Sequence, residues 1–341
     1  MLEKIFKKNE VKFIAIFVIF VFIFLGALFL ASIIVDPHNN FGTGIFKPLV
    51  MTNRTEKLEA LKNLEEKPQI LIFGSSRVFS MDPEQIKKIT GKSTYNASVS
   101  YARAEDYWAM INYIVDDLKI TPDTIVIGLN VGAFNNDDPD SQLINNDNLN
   151  KYLIGDTAKS KNYLKNFKES INTDYIRDIF ISIFKIKYNI NKKVLQGGAE
   201  FLNNGKIIIN QEYNPDSEDF MNTYNRARAL FTDQESIDLI RKLYLENTIG
   251  YANQRNIKVK LVILPMPTKV LNKLKEETDY DKLYTNFIQY TNELKLAYQF
   301  ELYDFSTINK FDGLENNFDD ATHPGSKNIE KITELIFQEK K

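Results

Sequence analysis

Hydrophobic positions follow two distinct patterns along this chain. Residues 13–35, FIAIFVIFVFIFLGALFLASIIV, form an unbroken apolar run without a charge. As a helix rising ~1.5 Å per residue it would extend roughly 35 Å, against a hydrocarbon core of about 30 Å. Lys4, Lys7, Lys8 and Lys12 precede it, so by the positive-inside tendency residues 1–12 stay in the cytoplasm and the chain after Asp36 is exported. A cleaved signal peptide is the competing reading. The run exceeds a usual signal h-region and no clean A-x-A site follows it, which favours an uncleaved, single-pass anchor in the cell membrane.

The second pattern starts after a change of character. In residues 36–67, DPHNNFG is turn-rich and TEKLEALKNLEEKP reads as a charged amphipathic helix closed by Pro68, together a juxtamembrane stalk. From 68 to 338 short apolar runs alternate with helical patterns, as expected for a parallel sheet covered by helices on both faces. The runs are QILIFG (69–74), TYNAS (94–98), TIVIGLN (124–130), VKLVILP (259–265) and FELYDF (300–305). Five strands suffice for a doubly wound sheet. Asn135 to about Asp233 breaks the rhythm with an insertion too long for a simple loop. It contains an apolar helical stretch at 176–190 and, at 201–209, an Asn204-Gly205 hairpin signal. Packing onto the sheet, a lid, a membrane-facing surface and a partner-docking surface are all open to it.

Composition narrows the chemistry. Hydrophobic residues make up 43% and the formal charge is -2, so nothing electrostatic points to nucleic acid as a partner. There is no cysteine, hence no disulfide framework and no thiolate metal site. Only two histidines are present and H-E-x-x-H is absent, so no catalytic zinc, other metal or cofactor is expected.

A hydroxyl-centred site is the remaining candidate. Gly74-Ser75-Ser76-Arg77 lies where the first strand ends, and open parallel sheets bind ligands outside the carboxyl ends of their strands. Alone it reads as a turn. Near the other end, Asp320-Ala321-Thr322-His323-Pro324-Gly325 opens a final helix running to about Phe337. A serine hydroxyl needs an imidazole to take its proton, and the imidazole needs a carboxylate to fix its tautomer; an Asp three residues before a His supplies both from one turn. Of the two histidines, His38 falls just beyond the apolar run and reads as a solvated juxtamembrane residue. Arg77 would either bind an anionic substrate group or pair locally at its turn, and Pro265-Met266-Pro267 would shape a site wall.

In this light FGSSR (73–77) resembles the first block of the SGNH (GDSL-like) hydrolases, with Ser76 at the nucleophile position and Ser75 in place of the customary Asp. NASVSYARAEDY (96–107) resembles the second, with Ser98 where glycine is usual. GLNV (128–131) resembles the third through Asn130, and DATH (320–323) matches the fifth. The resemblance implies a three-layer α/β/α, flavodoxin-like domain, with Ser76 as nucleophile, His323 as base and Asp320 as its partner. It also implies an oxyanion hole from Ser76, Ser98 and Asn130. An anchored domain of this kind resembles the proteins that acylate cell-surface polymers, such as the alginate O-acetyltransferase group and the teichoic acid D-alanyl transfer protein. That implies O-acyl, above all O-acetyl, transfer to an exopolysaccharide or envelope glycopolymer beside a polytopic membrane-bound O-acyltransferase. A surface esterase or deacetylase, and a silent glycan-binding or scaffold module, are the alternatives.

Overall fold

The computed structural model describes residues 2–38, 40–43, 45–46, 54–155, 167–168, 172–188, 200–208, 213–234 and 236–338. They divide into two compact units: residues 1–51 with 160–192, and 52–159 with 193–341.

In the first unit, α1 (Leu2–Val35) carries the apolar run. It is the described helix long and apolar enough to cross a membrane, a property that an anchor and a signal sequence share. The turn after it folds back on itself. The Asp36 carboxylate accepts the N–H groups of Phe41 and Gly42 at 3.0 and 2.9 Å, and His38 pairs with Asp178 at 2.8 Å rather than standing in solvent.

The second unit is a three-layer α/β/α domain. It begins with α2 (Arg54–Lys62), continues through β1 (Ile70–Gly74), α3 (Pro83–Thr90), β2 (Thr94–Asn96), α4 (Ala104–Asn112) and β3 (Thr124–Leu129), then α5 (Ser141–Ile144) and α6 (Asp147–Asn150). Helix α7 (Thr173–Tyr188) belongs to the first unit. The second resumes with a hairpin, β4 (Glu200–Phe201) and β5 (Ile207–Ile208), and then α8 (Glu218–Ala229), α9 (Leu239–Gln254) and β6 (Lys258–Ile263). It closes with α10 (Thr268–Glu277), α11 (Tyr280–Leu294), β7 (Glu301–Asp304) and α12 (Ser326–Phe337). Five strands pair in parallel in the order β2-β1-β3-β6-β7. Each predicted apolar run is one of them.

Alternation along the strands divides the core, since successive strand side chains point to opposite faces. Leu71, Phe73, Ile125, Ile127, Val259 and Leu261 pack under α2, α4 and α9 to α11. Ile70, Ile72, Val126 and Val262 pack under α3 and α12. Both faces are therefore covered, as an all-parallel sheet requires.

One organisational expectation needs correction. Residues 54–62 are not part of a stalk: Leu58 and Leu61 join the core, and Arg54 and Lys57 are fully buried. Arg54 grips Asp106 through two bonds of 2.7 and 3.1 Å, and the Lys57 ammonium donates to the carbonyls of Asn96 and Gly205. The insertion, for which several roles were open, divides between the two units. Leu143, Leu149, Phe220 and Tyr224 enter the sheet's core, whereas Tyr175 and Ile179 cluster with Val35 and Phe41. The hairpin does form, with Gly205 at its turn at φ +85°.

Candidate active site

Strand order reverses between β1 and β3, the first running on to β2 at one side while the chain returns to β3 at the other. That switch point opens a crevice beyond the strand ends, where Gly74, the last residue of β1, pairs with Gly128, the penultimate residue of β3. A Cβ on Gly74 would lie 2.6 Å from Val78 and 2.9 Å from the Gly128 carbonyl. Without side chains at the two positions, the chain can turn at once and lay Val78 across both strand ends. The result is a 3-10 turn, Ser76–Val78, capped by Ser75 and carrying Ser76 at its first position.

The Ser76 hydroxyl lies 2.7 Å from His323 Nε2, and His323 Nδ1 lies 2.7 Å from Asp320 Oδ2. With Nδ1–H donating to Asp320, Nε2 turns its lone pair to the Ser76 O–H. The other carboxylate oxygen accepts the backbone N–H groups of Thr322 and His323 at 2.7 and 2.9 Å. Burial opposes the Asp320 charge, but the His323 ring and these donors outweigh it and hold its carboxyl well below the usual range. Next to it, burial pushes Asp319 up to about 6, the His323 ring opposing and Asp320 adding to the rise. The loop itself is closed by an antiparallel bridge between Phe318 and Pro324, immediately before α12.

Arg77 takes the local of its two expected roles and not the substrate-binding one. It is buried, and its guanidinium donates to the carbonyls of Thr322 (2.9 Å), Leu264 (3.1 Å) and Pro265 (2.6 Å). It thereby ties the serine turn to the histidine loop and to the end of β6. Burial pulls it down to about 10, with Tyr280 and Asp320 opposing the fall.

The expected oxyanion groups divide. Asn130 caps the turn after β3 by accepting the Gly132 N–H with its Oδ1 at 3.2 Å, which leaves the amide nitrogen as the donor it can offer. Ser98 does not fit the expectation. It is fully buried, and its N–H donates to Asn96 Oδ1 at 3.1 Å. The Asn96 amide meanwhile donates to Val78 and Met81 carbonyls at 2.8 and 3.0 Å, locking the second block beneath the serine turn.

Ser76, Asn130 and His323 face a cavity of about 570 Å³, with Ser100, Tyr101 and Arg103 on one side, Met266 on another and Thr223, Arg226, Leu230 and Phe231 from the α8 region on a third. Ser100, not Ser98, is the second-block serine that lines it. Of the proline-flanked trio Met266 reaches the wall, while Pro265 serves through its carbonyl. Sequence reasoning missed Tyr101, Arg103 and Arg226. Tyr101 is 65% exposed at the cavity although its backbone is left-handed, φ +53°, a conformation that costs a bulky residue about 1–2 kcal/mol. Arg103 pairs with Asp137 at 2.9 Å, and Arg226 donates to Thr223 Oγ1 at 3.3 Å. Among the described residues no group of three or more His, Asp or Glu side chains converges as a metal site would need.

A family model described as "Protein of unknown function (DUF1574)" matches residues 6–340. No curated protein matches the sequence. Among solved structures, a protein named as a candidate acylhydrolase of Bacteroides fragilis superposes with a TM-score of 0.35 and 11% identity, covering 83% of this chain and 91% of its own. A GDSL-like lipase of Bacteroides thetaiotaomicron superposes at 0.36 with 10% identity, covering 83% and 92%. At these scores the overlays are loose.

Proposed function

The chain belongs to the DUF1574 family, described as proteins of unknown function, and from its own site we propose a membrane-anchored serine enzyme that transfers an acyl group, above all acetyl, to a surface glycopolymer. The observation that carries this reading is the unbroken relay Ser76–His323–Asp320, at 2.7 Å for both links, opening on the cavity.

The chemistry follows from the relay. Ser76 Oγ attacks the donor's carbonyl carbon while its proton passes to His323 Nε2, and Asp320 stabilises the imidazolium. The oxyanion of the tetrahedral intermediate is met by the Ser76 N–H, free of an intrahelical partner at the start of its turn, and by the Asn130 amide. When the intermediate collapses, the donor's leaving oxygen takes the proton from His323 and an acyl-serine ester remains. A sugar hydroxyl then gives its proton to His323 and attacks that ester, which restores Ser76 and yields the acylated glycan. Water in place of the sugar gives hydrolysis by the same steps.

The cavity lining supports a glycan acceptor. Two arginines, Arg103 and Arg226, line the cavity with a single carboxylate, Asp320, and the bare Tyr101 ring offers an apolar platform at the mouth. The apolar α1 supports anchorage with the domain outside the cell, where a polytopic membrane acyltransferase would supply the donor.

A serine-directed fluorophosphonate tests the nucleophile. Wild-type protein should label and Ser76→Ala should not; persistent labelling of Ser76→Ala, or none in wild type, removes this reading. Acyl-donor turnover with and without polysaccharide then separates transfer from hydrolysis, since only a transferase leaves the label on the polymer.

A further inference from the structure

Helix α7 takes no part in the proposed chemistry, and its surface is inverted for an aqueous setting. Tyr175, Asp178, Ile179 and Ser182 are buried; spaced at i, i+3, i+4 and i+7, they form one face of the helix. That face packs on the end of α1. Tyr175 and Ile179 cluster with Val35 and Phe41, the Tyr175 hydroxyl donates to the Ser32 carbonyl at 3.3 Å, and Asp178 holds His38. A helix so docked in water should turn polar side chains outward. Instead Phe180, Ile181, Ile183 and Phe184 are 57%, 36%, 45% and 52% exposed, interrupted by Arg177 alone among the described outward residues that carry charge. Contiguous bare apolar surface of this kind marks contact with something other than water.

The position of the contact along α1 says what that is. The Phe167 ring meets the Phe29 ring edge-on at 4.7 Å. Phe29 precedes the end of α1 by six residues, about 9 Å along the axis at ~1.5 Å each, and Ser32 by about one turn. The segment that carries α7 therefore runs beside the last two turns of the apolar run. The rest of that run is equally bare, Phe22 at 71% and Leu30 at 58%. One apolar surface continues from the end of α1 onto α7, and whatever surrounds the first surrounds the second.

We propose that α7 is a second membrane element, an interfacial helix lying against the anchor with Phe180, Ile183 and Phe184 immersed among the acyl chains of the leaflet in which α1 ends. The inference rests on α1 being a membrane anchor. Lipid is the occupant because the bare surface joins that of a helix whose length and composition match a bilayer. His38 and Asp178 then act as a polar rivet at headgroup depth, fastening the two elements where the hydrocarbon stops.

The chain contains no cysteine, so single nitroxide labels can be placed cleanly. Phe180→Cys, Ile183→Cys and Phe184→Cys, each in the full-length chain reconstituted in phosphatidylcholine–phosphatidylglycerol liposomes, are compared with Val18→Cys on α1 and Leu296→Cys, whose native side chain is 90% exposed in the α/β domain. Power saturation measures contact with oxygen, which concentrates in lipid, and with a nickel chelate, which stays in water. The α7 labels should show an oxygen-to-nickel ratio several-fold above that at position 296 and on the side of position 18. A ratio equal to that at 296, or low access to both reagents, overturns the interfacial helix while leaving the anchor intact. An aqueous ratio at position 18 overturns the anchor and this inference with it.

Discussion

Replacing Arg77 by Met removes a charge but keeps most of the side chain's bulk, and its effect separates the two roles this residue was expected to choose between. The guanidinium makes three hydrogen bonds to buried carbonyls. At about 1.5–3 kcal/mol for each bond from a charged donor, they contribute roughly 5–9 kcal/mol. Burial opposes them: the fall from 12.5 to about 10 corresponds to about 3 kcal/mol at ~1.36 kcal/mol per pH unit. Arg77→Met is therefore expected to destabilise the α/β domain by about 2–6 kcal/mol, since three acceptors lose their partner at once. Urea unfolding of the detergent-solubilised full chain, followed through Trp108, measures this directly; that single tryptophan packs against the domain's core. The midpoint should fall with little change in slope. Fluorophosphonate labelling should slow as well, because the Thr322 carbonyl that Arg77 holds adjoins His323. A midpoint within about 0.5 kcal/mol of wild type, together with weakened binding of an anionic acceptor, would refute the bracing role and restore the substrate-binding one.

Asp320→Asn removes the carboxylate that orients His323 and should slow labelling of Ser76 by on the order of 10³–10⁴; a change under tenfold would mean that His323 is held by other contacts. Asp319→Asn should abolish a pH dependence. A carboxyl raised to about 6 in the folded state, against ~3.9 unfolded, favours folding when protonated, a contribution present below about 4 and lost as pH rises through 6. Wild type should thus lose urea stability between pH 4 and 6 and the variant less; parallel curves would count against it. Asp320, held below the usual range, contributes stability present above about 4 and lost only in stronger acid, outside that window. Gly205→Ala should cost about 3 kcal/mol, since a methyl group there meets the Asn96 carbonyl at a backbone φ of +85°; unchanged unfolding and hairpin proteolysis would mean that the hairpin does not dock on β2.

What the sequence made legible was whatever depends on local pattern. Each strand is a short β-rich apolar run, and a buried parallel sheet leaves that mark residue by residue. The relay was legible because Asp320 and His323 share one turn and His323 has a single rival in the chain. Contacts decided over distance were not. Arg54 and Lys57 look like the solvated face of a charged helix, and nothing nearby announces that Asp106, 52 residues on, and two backbone carbonyls will receive them. Ser98 failed as an oxyanion donor because the direction of its N–H is set by the Asn96 side chain folding over two residues, which a motif does not encode. Tyr101 left a weak signal, an aromatic beside small residues in a turn, but its left-handed backbone exists only once Val99 and Ala102 close that turn at 3.3 Å.

Ser76 and His323 touch across 247 residues of chain, and that separation has a consequence in time. At about 5–20 residues per second the serine leaves the ribosome roughly 10–50 s ahead of its base. Throughout that interval, and in any chain cut short before the last loop, the hydroxyl is an ordinary alcohol with no partner to take its proton. Under the serine mechanism proposed above, reactivity arrives only when the final loop and α12 dock. On that mechanism the molecule tests its own folding, and only a copy whose last loop has docked is armed.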